Sequence, residues 1–390
     1  MKGYPKEFLE EQRKLLAQPP QEKAYEPLTK YDLPTEEALI AGKELLRKGK
    51  VACLVLAGGV GSRLATKGPK ALVPVTNVRN KTFLQLLCEK IKAASHAYGT
   101  SLQIALMTSS SNHDEIKNYL VTNNYFGLSE ADVHQFIQDN APLLDEHGDW
   151  FHDDKGQLVV GPDGNGHCLK KLMETGIGKQ WRKQGIEYVM LIPIDNPLAD
   201  PFDASFCGLH FMKKNDLTIK AIFRTDPLEK LSIIATENHK IRVIEYFDLP
   251  PHIHAPLANS GMYCFNLAFI ERIAHIDLPW HIARKKQAGK NVYKFERFII
   301  DVLPLAEKCS VVAYPREDVF TPLKNEAGPD SLLTVREALL NFDRKTFSSI
   351  TKTPAPSHTF ELDPAFYYPT AELRAKWQGK KAPNTDYISP

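Results

Sequence analysis

From Val51 to Ile194 the chain repeats one pattern: a short apolar run ends at a polar or glycine-rich turn, and apolar positions then recur three to four residues apart. Val51–Leu56 (VACLVL) predicts a buried strand, and Phe83, Leu87, Ile91 and Ala94 predict a helix beginning near Thr82. Ser101–Thr108 (SLQIALMT) and Val133–Gln138 predict a second and a third strand. Between them lies a helix carrying Ile116 and Leu120, capped by Ser111 or Asn112. Pro162–Gly166 (PDGNG) opens a helix over His167–Glu174, and Tyr188–Ile194 (YVMLIPI) is a strongly apolar strand ending at Asp195 and Asn196. Strands alternating with helices in this way predict a parallel, doubly wound sheet with ligands at the carboxyl ends of its strands. Gly58, Gln138 and Asp195 fall at or just beyond such ends.

The pattern differs on either side. Glu7–Gln18 and Thr35–Lys48 read as two helical patches joined through Pro19, Pro20 and Pro27. After Pro201 the runs LTIKAIFRT, LSIIAT, IRVIEYF and MYCFNL are short and β-like with turn residues between them, so mixed or antiparallel strands should extend the sheet. Phe295–Leu305 predicts a helix, Ser310–Tyr314 a strand and Ser331–Arg344 a helix; Thr353–His358 reads as a linker into a Pro- and Tyr-rich tail. This divides the chain into an N-terminal helical segment (1–48), a central domain (49–312) and a C-terminal region (313–390).

Composition narrows the partners. The 390 residues carry a net charge of +2, so no global field favours nucleic acid or a membrane surface, and an anion must be held by a local site. Six cysteines lie far apart without metal-ligand spacing and several sit in apolar runs, which predicts reduced core thiols. No apolar run approaches the ~20 residues needed to span a bilayer. A cytoplasmic protein is the expectation.

The densest chemistry lies in Val51–Val75. Gly58, Gly59 and Gly61 follow the first strand, then come Arg63 and Gly68-Pro69-Lys70. Glycines let the backbone approach a ligand closely, and successive N–H groups in such a turn attract anions. With Arg63 and Lys70 beside it, the loop is suited to a polyphosphate. It is not a Gly-x-x-x-x-Gly-Lys-Ser/Thr loop, and Leu64 stands where the dinucleotide fingerprint needs its third glycine, which disfavours a nicotinamide-dependent oxidoreductase.

The arrangement LAGGxGSRLxxxxPK resembles the signature of nucleotidyltransferases that make nucleoside diphosphate sugars. With MTSSSNHDEIKNYL, PDGNGH, IDNPLADP, NSGMY, KFERFIID and REDVFTPLKN in order over roughly residues 35 to 340, it resembles the UDP-N-acetylglucosamine pyrophosphorylase family. The resemblance implies a Rossmann-like, GT-A-type α/β nucleotidyltransferase domain with a mixed, mainly parallel sheet. It implies uridylyl transfer from UTP to a hexose-1-phosphate, with N-acetylglucosamine-1-phosphate first and glucose-1-phosphate or a broader range as the alternative.

By the same resemblance Arg63, Lys70 and Lys324 are the catalytic cations and Asp195 holds Mg²⁺. Gly58, Gly59, Gly61, Gln138 and Gly164 face the nucleotide, and Asn165, Glu245 and Asn259 face the sugar. Four positions depart from the family pattern: Asp139, His167 and Ser232 replace glycines and Met262 replaces an asparagine, the last two near the expected sugar. A silent nucleotide-sugar sensor is the non-enzymatic alternative, against which the retained cations argue.

Overall fold

The computed structural model describes residues 4–19, 24–61, 68–226, 229–245, 255–287 and 289–390. Among the described residues ten strands form one sheet. In chain order they are β1 (Glu26–Pro27), β2 (Val51–Leu56), β3 (Ile104–Thr108), β4 (Val133–Ile137), β5 (Tyr188–Pro193), β6 (Leu217–Phe223), β7 (Ile233–Glu237), β8 (Lys240–Ile244), β9 (Leu257–Asn266) and β10 (Cys309–Tyr314).

β5, β2, β3 and β4 pair in parallel, in that spatial order. Residues 51–55 and 104–108 are all buried, as expected of strands covered on both faces. Beyond β5 the ten-residue β9 runs antiparallel and pairs with β5, β6 and β7, while β10 lies parallel to β6. The later half of the sheet is therefore mixed, as the shorter β-like runs predict. Its register slips between Asn259 and Met262, where Gly261 adopts a φ of +74°; a bulge of this kind re-aims the side chains beside it.

The helices α1 (Lys6–Ala17), α2 (Glu36–Arg47), α3 (Phe83–Tyr98), α4 (His113–Thr122), α5 (Cys168–Glu174), α6 (Ala204–Lys213), α7 (Leu332–Thr351) and α8 (Ala371–Trp377) carry the layers. Thr82 caps α3 by accepting from Gln85 N. The helices α2 and α6 approach almost to backbone contact through two glycines. A Cβ on Gly42 would lie 1.7 Å from Ala204 O, and one on Gly208 1.8 Å from Ala38 O.

Two expectations change. Phe295 does not begin a helix: it lies in a strand, Lys290–Glu296, paired antiparallel with His281–Gln287, and Ile299–Leu305 is a 3₁₀ helix containing Pro304. The local pattern is of period two rather than 3.6, and Pro304 removes a helical donor. The tail carries its own core of Phe347, Phe360, Phe366 and Trp377. Buried Lys81, beside α3, ties this tail to the sheet domain through Glu89 (2.6 Å), Tyr387 (3.0 Å) and Glu361 (3.4 Å).

The contact between α2 and α6 yields a stability test. Gly208→Ala must push two backbones apart and should lower unfolding free energy by ~1–3 kcal/mol or more. Gly59→Ala, whose Cβ would meet nothing within 4 Å, should stay within ~0.5 kcal/mol of the parent. Urea unfolding of the two variants measures the difference.

Candidate active site

Because β5, β2, β3 and β4 are parallel, the segments that follow them all emerge on one side of the sheet. After β2 comes the glycine loop, after β3 the turn containing Asn112, after β4 Gln138, and after β5 Asp195 and Asn196. The chemistry-bearing positions of the sequence thus meet along one crevice. Arg63 lies outside the described residues.

The loop is held by its backbone and by one buried side chain. Lys70 N donates to Gly59 O (3.1 Å). Asn112 Nδ2 donates to Ala57 O (3.0 Å), and Asn112 Oδ1 accepts from Ser109 N (2.8 Å). Asn112 occupies the first position before α4 but makes no side-chain cap there. Its buried amide fixes the loop instead, a role that sequence reasoning missed. Gly58 faces Gln138: a Cβ on Gly58 would stand 2.7 Å from Gln138 Oε1, so glycine keeps the space above that amide open.

Lys70 Nζ lies 2.8 Å from Asp195 Oδ2, and both side chains are mostly buried, at 17% and 23% exposure. This ion pair joins the glycine loop to the end of β5. Asp195 O accepts from Leu323 N (2.9 Å), while Asn196 Nδ2 donates to Val319 O (2.7 Å) and Asn196 Oδ1 accepts from Thr321 N (3.0 Å). The segment bearing Lys324 is therefore docked, by three hydrogen bonds, onto the two residues that follow β5. From the other side buried Lys90 of α3 donates to Pro197 O (2.6 Å) and Ala199 O (3.1 Å); burial pushes its amine down to about 8.

Asp195, Lys324, Glu245, Asn259 and Ser232 line one cavity of about 850 Å³. Asn259 is set by its own strand: Tyr263 Oη lies 2.9 Å from its Nδ2, and Gly261 N donates to its Oδ1 (3.1 Å). Arg316, 2.6 Å from Glu229, also lines the cavity; it opens the REDVFTPLKN block but was assigned no role on sequence grounds. Met262, expected near the sugar, is instead fully buried in the core below the sheet. Its departure from the family pattern is a packing change.

Gly164 and Asn165 sit in a tight turn against Arg297. Gly164 has a φ of +89°, and a Cβ there would lie 2.2 Å from Arg297 O. Asn165 Oδ1 accepts from Ile299 N (2.9 Å), which commits that oxygen to structure. Beside them buried Asp163 is pushed up to about 6 by burial and by Asp139, and His167 is pushed down to about 4 by burial, Arg297 and Lys170. His167 is therefore neutral near pH 7.

With this geometry in hand, comparison with known proteins is decisive. The sequence profile of the UTP–glucose-1-phosphate uridylyltransferase family matches residues 6–376. The chain belongs to this family. A Dictyostelium discoideum protein named as a UDP-N-acetylglucosamine pyrophosphorylase is 31% identical over 345 residues, covering 78% of this chain and 71% of its own length. The Saccharomyces cerevisiae UDP-N-acetylglucosamine pyrophosphorylase is 29% identical over 320 residues, covering 74% and 67%. A solved Entamoeba histolytica structure titled as a pyrophosphorylase of the same kind superposes with a TM-score of 0.83 at 26% identity, over 94% of this chain and 99% of that one. The family's members are nucleotidyltransferases, and the mixed, mainly parallel α/β sheet is their fold. Among the described residues no helix is long and apolar enough to cross a membrane.

Within this crevice, Asn196 is the residue whose removal reads most locally. Asn196→Ala orphans Val319 O and Thr321 N. It should destabilise the protein by ~1–3 kcal/mol per buried group left unpaired. Hydrogen exchange at Thr321 and Leu323 should accelerate more than elsewhere in the chain; unchanged protection at these amides would show that Asn196 does not hold the Lys324 segment.

Proposed function

We propose that the chain transfers the uridylyl group of UTP to N-acetylglucosamine-1-phosphate, forming UDP-N-acetylglucosamine and pyrophosphate. An oxygen of the sugar phosphate attacks the α-phosphorus in line, the bond from that phosphorus to the β-phosphate bridging oxygen breaks, and pyrophosphate leaves. Such a reaction calls mainly for positioning and neutralisation of charge. The observation that carries the reading is the Lys70–Asp195 pair at the ends of parallel strands, with the Lys324 segment docked on Asp195. A sensor would need the pocket but not this grouping of charges.

In this reading Lys70, with Arg63 on sequence grounds, neutralises the triphosphate and the departing pyrophosphate. Lys324 faces the sugar phosphate from the other wall. Gly58, Gly59, Gly61, Gln138 and Gly164 form the nucleotide side, where the Gln138 amide offers the donor and acceptor that a uracil edge requires. Glu245, Asn259 and Asn165 take sugar or ribose hydroxyls; the shared cavity of Glu245 and Asn259 supports this for those two.

Asp195 fits Mg²⁺, being a hard, partly buried carboxylate that opens on the cavity, and magnesium on phosphates needs only one or two protein carboxylates. When bound, the ion draws charge from phosphate oxygens. N-acetylglucosamine-1-phosphate is put ahead of glucose-1-phosphate in this reading because the relatives at 31% and 29% identity are named for the N-acetylglucosamine product.

The test is pyrophosphate release from UTP and Mg²⁺ with a panel of sugar-1-phosphates. N-acetylglucosamine-1-phosphate should give the highest kcat/KM. UTP binding without turnover on any sugar would favour the sensor. Lys70→Ala should lower turnover by at least ~100-fold, the scale of losing one preorganised charge-stabilising group; an unchanged rate would remove Lys70 from the chemistry.

A further inference from the structure

At the opposite end of the crevice from Asp195, three side chains from separate segments converge: Asp139 after β4, Asp163 before the Gly164 turn, and His167 at the start of α5. One ligand atom from each lies within 4.8 Å of the others. Two of the three are almost entirely buried, Asp163 at 2% and His167 at 7% exposure. Yet Asp163 Oδ1 and His167 Nε2 have no hydrogen-bond partner among the described residues.

A buried carboxylate oxygen and a buried ring nitrogen left unpaired in one place are costly, and in a native protein such a pair calls for a bound ion or water. The surrounding charges do not fill the gap. Lys171 Nζ takes Asp139 Oδ1 at 3.0 Å and also reaches Glu174. Arg297 comes only to 4.0 Å of Asp163 Oδ2, and Lys170 is occupied by Asp277 at 2.6 Å. His167 Nδ1 is 3.6 Å from Asp163 Oδ2 and its Nε2 is 3.7 Å from Asp277 Oδ1, too far for a hydrogen bond to either.

We propose that Asp139, Asp163 and His167 form a divalent transition-metal site that joins the Gln138 segment to the Gly164–Asn165 turn. An imidazole with two carboxylates is a donor set for Zn²⁺, Co²⁺ or Mn²⁺ rather than for Mg²⁺. The site is distinct from Asp195: β4 and β5 are separated by β2 and β3, a spacing of roughly 14 Å at ~4.8 Å per strand. The backbone already links the same pieces, since Asp163 N donates to Asp139 O (3.0 Å) and Arg297 N to Asp163 O (2.7 Å). A metal adds a side-chain lock beneath the residues assigned to the nucleotide. The site does not depend on the proposed reaction.

The test uses the full chain, stripped with chelator and titrated with Co²⁺ alone. The parent should bind one cobalt per chain with visible ligand-field bands and no thiolate charge-transfer band, because no cysteine is among the ligands. Asp195→Asn should keep these bands. His167→Ala should lose them, and Asp139→Asn, at an exposed position that leaves folding intact, should weaken cobalt binding by at least ~10-fold, no less than the loss of an outer-shell partner costs. Thermal melts should show stabilisation by Zn²⁺ in the parent and in Asp195→Asn only. Absence of a cobalt spectrum in the parent, its persistence in Asp139→Asn and His167→Ala, or its loss in Asp195→Asn would each overturn the proposal and leave ordered water as the partner of these atoms.

Discussion

The ion pair between Lys70 and Asp195 is the contact on which the rest of the site depends. It joins two neighbouring strand ends on one side of the crevice, one carrying the glycine loop after β2 and the other β5. Both groups are mostly out of water, so each would be costly to leave alone. Without nucleotide each serves as the other's counter-charge. In the proposed reaction a triphosphate and a divalent cation would offer each a partner of higher charge, so that the pair could open without stranding either group. The two charges are thus held in place before the ligand arrives, which is the condition for electrostatic preorganisation.

The fold spends its buried polar side chains on holding these ends. Asn112 fixes the glycine loop, Asn196 docks the Lys324 segment, and Lys90 grips the carbonyls that follow Asp195. All three lie outside the groups assigned to the ligand. They explain how loops at the ends of four parallel strands, each mobile in isolation, present one geometry. The bulge at Asn259–Met262 does the same for one wall of the cavity by turning Asn259 toward it and Met262 into the core.

The parallel half of the sheet was legible because strands buried on both faces are written as unbroken apolar runs; Val51–Leu56 was read to the residue. The basic hairpin His281–Glu296 was not, because its exposed residues obscure a period of two and its partner strand reads as a charged loop. The core of the tail was hidden because its aromatics, Phe347 to Trp377, are spaced over some thirty residues and meet only in three dimensions. In the site, the order of the motifs pointed to Lys70, Asp195, Glu245, Asn259 and Lys324, but not to the direct Lys70–Asp195 contact. Asn112 looked like a helix cap, since a side-chain amide gives the same sequence signal whether it caps a helix or holds a neighbouring loop. Nothing in the spacing of Asp139, Asp163 and His167 signals that they meet.

The central claim is that Lys70 and Asp195 exchange each other for ligand. A crystal structure of the protein with Mg²⁺ and a non-hydrolysable UTP analogue tests it most directly. The account predicts that Lys70 Nζ moves onto phosphate oxygen and leaves Asp195 beyond the ~4 Å of an ion pair, with the Asp195 carboxylate turned to the metal. A bound nucleotide with the 2.8 Å contact intact would contradict it.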